Sequence, residues 1–162
     1  MIEIRPIKPD EALAAKRVIY RVALVVFNDP RPLEESIAYH EARGELKDMD
    51  DIKRSYFDNG GVFLVMTDED EIICTGAIRK LEAGICELKR VWLLTEYHGQ
   101  GLGYRMVQKL LAIAREMKYE RIRLETDPIS QKPALDFYKR LGFYVIPRYS
   151  KRTDEIAMEM IL

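Results

Sequence analysis

The segment Leu93-Leu94-Thr95-Glu96-Tyr97-His98-Gly99-Gln100-Gly101-Leu102-Gly103 decides how this chain is read. The run before it, Cys86 to Leu94, alternates as a strand. After it, Met106, Leu110, Ile113 and Ala114 fall at helical spacing with Val107 and Leu111 beside them, which predicts a helix over Gly101–Met117. A strand that enters a glycine-rich turn and leaves as a helix presents free N–H groups to an anion, aided by the helix dipole. Glycine lets the backbone approach the ligand closely. The arrangement is physically a pyrophosphate cradle, or else a tight turn without a ligand. Two nucleotide motifs do not fit it. A P-loop needs Gly-Lys-Ser/Thr, and Gly103 is followed by Tyr104-Arg105; in G-x-G-x-x-G the third glycine would fall on Tyr104 or Met106.

Upstream, Ile2 and Ile4 before Pro6 read as a short strand. Asp10–Phe27, Leu33–Glu41 and Leu46–Phe57 read as helical pieces. Val62–Met66 and Ile72–Ile78 read as strands joined by the acidic tip Asp68–Glu71, with a turn at Ala83-Gly84. Downstream, Arg121–Thr126 is a strand and Pro133–Leu141 a helix, with Pro133 in its first turn and Gly142 ending it; Phe143–Ile146 and Ile156–Met160 close the chain. This order predicts an α/β (α+β) layered fold, its sheet mixed and largely antiparallel with helices flanking it. No repeat or flexible linker divides it, so residues 1–162 read as a single domain.

The bulk numbers narrow the class. Apolar residues make up 48 % of the 162, and 26 basic residues face 27 acidic ones for a net charge of −1. That balance gives no footprint for nucleic acid or an anionic membrane. Cys74 and Cys86 lack metal or redox spacing and read as buried thiols of a reducing compartment. The first residues do not form a signal peptide, and the longest apolar run, Val22–Phe27, is too short to span a bilayer, so the expected location is the cytoplasm. His40 and His98 are far apart and outside any H-E-x-x-H, so no metal is expected, and no G-x-S-x-G elbow supports a serine hydrolase. Trp92 reads as core, Arg121 and Arg123 as a solvated strand face, and Asp48, Asp50 and Asp51 as either a helix start or an attractor for a cationic acceptor.

The glycine turn resembles the coenzyme A loop of the GCN5-related N-acetyltransferase (GNAT) superfamily, Gln/Arg-x-x-Gly-x-Gly/Ala, with His98, Gly101 and Gly103 at the marked positions. A second segment, Gln131 to Phe143, resembles the family's Asn-x-x-Ala-x-x-x-Tyr-x-x-x-Gly-Phe through Ala134, Tyr138, Gly142 and Phe143. His98 and Gln131 depart from the usual residues. The likeness covers roughly residues 62–146.

The resemblance implies strands splayed at a coenzyme A cleft, with the pantetheine arm along Val91, Trp92 and Leu93. It places the pyrophosphate on His98, Gly99, Gln100, Gly101, Leu102, Gly103 and Tyr104, and adds Gln131 and Tyr138 to the cofactor contacts. It implies acetyl-CoA as cosubstrate and a small-molecule or peptide amine as acceptor, and leaves a homodimer open. An amine with pKa near 10.4 costs about 4–5 kcal/mol to deprotonate at neutral pH, so a base is needed. Glu87, eleven residues before His98, holds the register of the family's glutamate base; Tyr138 holds that of the tyrosine facing the thioester sulfur, where a phenol can act as acid. An oxyanion donor is expected from a strand amide near Leu93. The alternatives are another acyl-CoA or acceptor, or a non-catalytic coenzyme A-binding protein.

Overall fold

The computed structural model describes residues Met1–Leu162. Seven strands form one sheet: β1 (Ile2–Pro6), β2 (Val62–Asp68), β3 (Glu71–Glu82), β4 (Ile85–Leu93), β5 (Arg121–Thr126), β6 (Tyr144–Ile146) and β7 (Ile156–Ile161). Their spatial order is β1-β2-β3-β4-β5-β7-β6. Every neighbouring pair is antiparallel except β4 and β5. The predicted mixed, largely antiparallel sheet is therefore present.

Period-two burial divides the two faces of β2. Phe63 and Val65 pack with Ala15 and Ile19 of α1 (Ala12–Val26), whereas Leu64 and Met66 join Met106 and Leu110 of α3 (Leu102–Glu116). At Gly76 on β3 a Cβ would lie 2.9 Å from both Leu110 and Met106, so glycine lets α3 close onto the strand. α2 (Leu33–Ala42) leans on α1, and α4 (Lys132–Leu141) follows β5. The β2–β3 connection turns through Glu69 and Asp70, with φ of 47° and 71° at the two positions, as a tight hairpin demands.

One expected element differs. Leu46–Phe57 is helical but in two short irregular pieces, a 3₁₀ helix at Lys47–Asp51 followed by a π-helix at Lys53–Phe57, and not α-helical. Tertiary pairs stand against a regular α-helix here: Asp48 binds Arg90 at 2.6 Å and Asp50 binds Lys16 at 2.7 Å. These acids are already paired and do not form a free attractor for cations. Arg123 is also not solvated. Its Nε donates to Glu159 at 2.7 Å, and its side chain is 19 % exposed.

Acid should loosen the N-terminal corner. Glu11 accepts from Arg5 at 2.7 and 2.9 Å and from the Lys8 N–H at 2.8 Å. The Arg5 guanidinium, chiefly, holds its carboxyl down from 4.5 to about 2. Asp29, bonded by Arg31 and Ser36, is likewise held low. A depressed carboxylate stabilises the fold above its unfolded pKa and loses that contribution as pH falls through the folded one. Melting temperature should be flat above about pH 5 and fall below it. Glu11→Gln should show a shallower acid slope in a calorimetric pH series.

Candidate active site

The β4–β5 ladder is short. It pairs Ile85 with Arg121, Cys86 with Ile122 and Glu87 with Arg123, then stops, although β4 runs on to Leu93 and β5 to Thr126. The strands splay, and beyond Glu87 the β4 edge facing β5 has no ladder partner. A bulge accompanies the splay. Thr75 pairs with Trp92 but Ala77 with Lys89, so β4 carries one extra residue, and Arg90 sits at φ 58°. The Thr75 hydroxyl donates to the Arg90 carbonyl at 2.7 Å, and the Arg90 side chain is tied to Asp48 and to the Glu45 carbonyl, which together hold this uncommon conformation.

A cavity of about 140 Å³ fills the splay, lined among others by Glu87, Val91, Trp92, Gln131 and Tyr138. It meets a larger cavity of about 520 Å³ under α1 and α2, and the two share Arg90, Trp92, Gln131, Arg152 and Glu155. Trp92, which sequence reasoning assigned to the core, packs partly on it but also walls both cavities. The extra residue of the bulge resets the strand alternation just before it.

Tyr138 is 8 % exposed, and its ring packs against Phe137 and Phe143. Burial pushes its phenol above its ordinary value of 10.0. Its hydroxyl has no hydrogen-bond partner within the protein, and Tyr138 lines the splay cavity. Glu87 is 3 % exposed; Arg79 Nε and Nη2 donate to its Oε1 at 3.2 and 3.1 Å, and the Tyr149 hydroxyl donates to Oε2 at 2.7 Å. A carboxylate offers about four acceptor positions, so one on Oε2 remains. Gln131 Oε1 accepts from the Asp127 N–H at 3.1 Å and from the Thr126 hydroxyl at 3.4 Å, closing the loop before α4.

At the end of β4 the chain makes a short turn at Thr95–Tyr97 and enters the glycine segment. Gly99 and Gly101 have φ of 81° and 75°, a region that side chains rarely adopt. A Cβ on Gly99, Gly101 or Gly103 would meet nothing within 4 Å, so the segment forms an open shelf. The first bond onto α3 runs from the Arg105 N–H to the Gly101 carbonyl, and the N–H groups from Gly99 to Tyr104 have no acceptor in the protein. Leu102 buries its side chain in the core, and Tyr104 points outward. His98 turns its ring back, Nε2 lying 2.8 Å from the Leu93 carbonyl. It therefore pins the turn to the strand, where the Gln or Arg of the resembled loop would reach outward.

The acetyltransferase (GNAT) family model matches residues 26–143. This chain belongs to the GNAT family. Over 98 residues it is 33 % identical to the uncharacterised N-acetyltransferase YjgM of Escherichia coli, covering 59 % of this chain and 58 % of that one. Over 102 residues it is 31 % identical to human N-acetyltransferase 8B, covering 59 % of this chain and 44 % of that one. The likeness thus spans about half the length of these relatives. Two solved structures share the fold across nearly the whole chain. A GNAT acetyltransferase from Staphylococcus aureus superposes with TM-score 0.85 at 19 % identity and 99 % coverage of both chains. The Thermoplasma acidophilum PaiA N-acetyltransferase, solved in complex with coenzyme A, gives 0.79 at 17 % identity, covering 100 % of this chain and 99 % of that one.

Sequence reasoning missed three residues at this cleft. Tyr149, Arg152 and Glu155 lie on the β6–β7 loop, which has no periodicity and no motif, and reach the cleft only through the fold. Both cysteines are buried free thiols, pushed by burial up to about 12, so neither supplies a ready nucleophile. No cluster of His, Cys, Asp and Glu is arranged to hold a metal, and no helix is long and apolar enough to cross a membrane.

Proposed function

We propose that residues 1–162 act as one acetyltransferase domain that moves an acetyl group from acetyl-CoA to a primary amine of a small molecule or peptide, by direct attack on the thioester. The observation that carries this reading is the splayed β4 edge, which leads from the free Tyr138 hydroxyl to the open shelf of N–H groups at Gly99–Tyr104. These residues fit acetyl-CoA. Its pyrophosphate matches six free amides at a helix N-terminus, and its amide-bearing arm matches the unpaired edge at Val91, Trp92 and Leu93. His98 contributes by fixing the shelf, and Gln131 by holding the loop before α4. The buried thiols fit a reducing compartment, and we place the protein in the cytoplasm.

Bound acetyl-CoA supplies an activated acetyl thioester; the chain supplies position and proton handling. Tyr138 stays protonated at neutral pH, because burial raises its pKa. Its hydroxyl stabilises charge developing on the leaving sulfur by donating to it. A thiol near pKa 8.5 is more acidic than this phenol, so donation in the transition state matters more than complete transfer. Glu87 receives the amine's proton through a water on its remaining Oε2 position. Arg79 and Tyr149 orient it by donating to its two oxygens. The test is the rate of free thiol release from acetyl-CoA over a panel of primary amines, with product mass as check. Amine-dependent release with an acetylated product is expected. Coenzyme binding with no acetylation of any amine would contradict the reading.

A further inference from the structure

The larger cavity holds charged groups, yet most are already paired. Asp29 takes Arg31 at 2.8 Å, Ser36 at 2.6 Å and His40 at 3.5 Å. Glu45 lies 2.6 Å from His40 Nδ1, and Arg90 is held by Asp48. Glu155 differs. Its side chain is 16 % exposed, and its nearest cation is the Arg152 guanidinium at 3.4 Å, on a side chain 62 % exposed. It lies where the two cavities join, between the splay and the space under α1. The rest of that space is lined along one side by Ile19, Ala23, Leu24 and Phe27 of the α1 region together with Trp92, and Phe27 stands edge-on to Trp92 at 6.4 Å.

From this arrangement we infer that the acceptor is a monoamine with an aromatic or branched apolar body: Glu155 binds its ammonium at the neck, and Phe27 and Trp92 hold its body. The inference rests on the acetyltransferase reading and narrows its substrate class. The Glu155 carboxyl is raised, chiefly by burial and against the pull of the exposed Arg152 guanidinium; an ammonium at the neck offsets more of that cost. A diamine would gain little, because its chain covers less of the Phe27–Trp92 wall, and Asp29, deeper in the cavity, is already held by Arg31 and Ser36. Glu155 is a binding group, and Glu87 keeps the proton-accepting role.

Trp92 is the chain's single tryptophan, so its emission reports on this cavity without any acetyl transfer. Titration with 2-phenylethylamine should give a saturable change. 2-Phenylethanol, which lacks the charge, and 1,4-diaminobutane, which lacks the ring, should each bind about ten- to hundredfold more weakly. Glu155→Gln should weaken the amine about tenfold while leaving 2-phenylethanol unchanged, and Phe27→Ala should weaken both. Equal binding of the diamine, or an amine affinity indifferent to Glu155→Gln, would overturn the inference. Neither result bears on acetyl transfer, which the thiol-release assay reads separately.

Discussion

Tyr138→Phe should lower kcat by about 10²–10⁴-fold, the usual span for a positioned proton donor. The fold should be indifferent to the change. The hydroxyl has no partner in the protein, so its loss orphans no buried group, and the ring contacts with Phe137 and Phe143 survive. Melting temperature and acetyl-CoA affinity should therefore stay near the parent values, leaving the deficit in kcat. Because the parent phenol is raised above 10.0, its ionisation should produce no alkaline fall in rate below about pH 10. An unchanged kcat in Tyr138→Phe would reduce Tyr138 to a packing residue.

Glu87→Gln should lower kcat by about 10²-fold or more, by removing the proton's destination. This change also touches stability. The amide keeps size and can still accept from Tyr149, but Arg79 loses its carboxylate partner, at a cost of about 1–3 kcal/mol. A second variant separates the effects. Arg79→Met breaks the same pair from the other side and should lose comparable stability, yet keep much of the rate, since the carboxylate remains. Equal rate losses in the two variants would assign Glu87 a structural role only.

The two segments that carry the fold and the cradle were legible because each rests on local rules. Gly99 and Gly101 occupy positive φ, and the Ala134–Tyr138–Gly142 spacing is a helix with its stop. Strand Arg121–Thr126 matched residue for residue, since its alternating burial follows the sequence pattern. What escaped depends on long-range contact. The bulge at Arg90 is held by Asp48, 42 residues away, and it turns Trp92 from a core residue into a cavity wall. Tyr149 meets Glu87 across 62 residues. Glu155 lies in a loop whose local sequence contains no hint of the cleft beneath it. Leu46–Phe57 is helical as read, but its 3₁₀ and π form escaped for the same reason: Asp48 and Asp50 are placed by Arg90 and Lys16.

The central claim is that a coenzyme A thioester lies along the β4 splay with its pyrophosphate on the Gly99–Tyr104 amides. Calorimetric titration with acetyl-CoA, beside a Gly101→Asp/Gly103→Asp variant, tests it most directly. The parent should bind with a Kd of about 1–100 μM, equivalent to about 5.5–8 kcal/mol. Two carboxylates on the shelf should weaken binding about a hundredfold or more, by repelling the anion from the helix N-terminus. A parent that does not bind acetyl-CoA, or a variant that binds it equally well, would contradict the account.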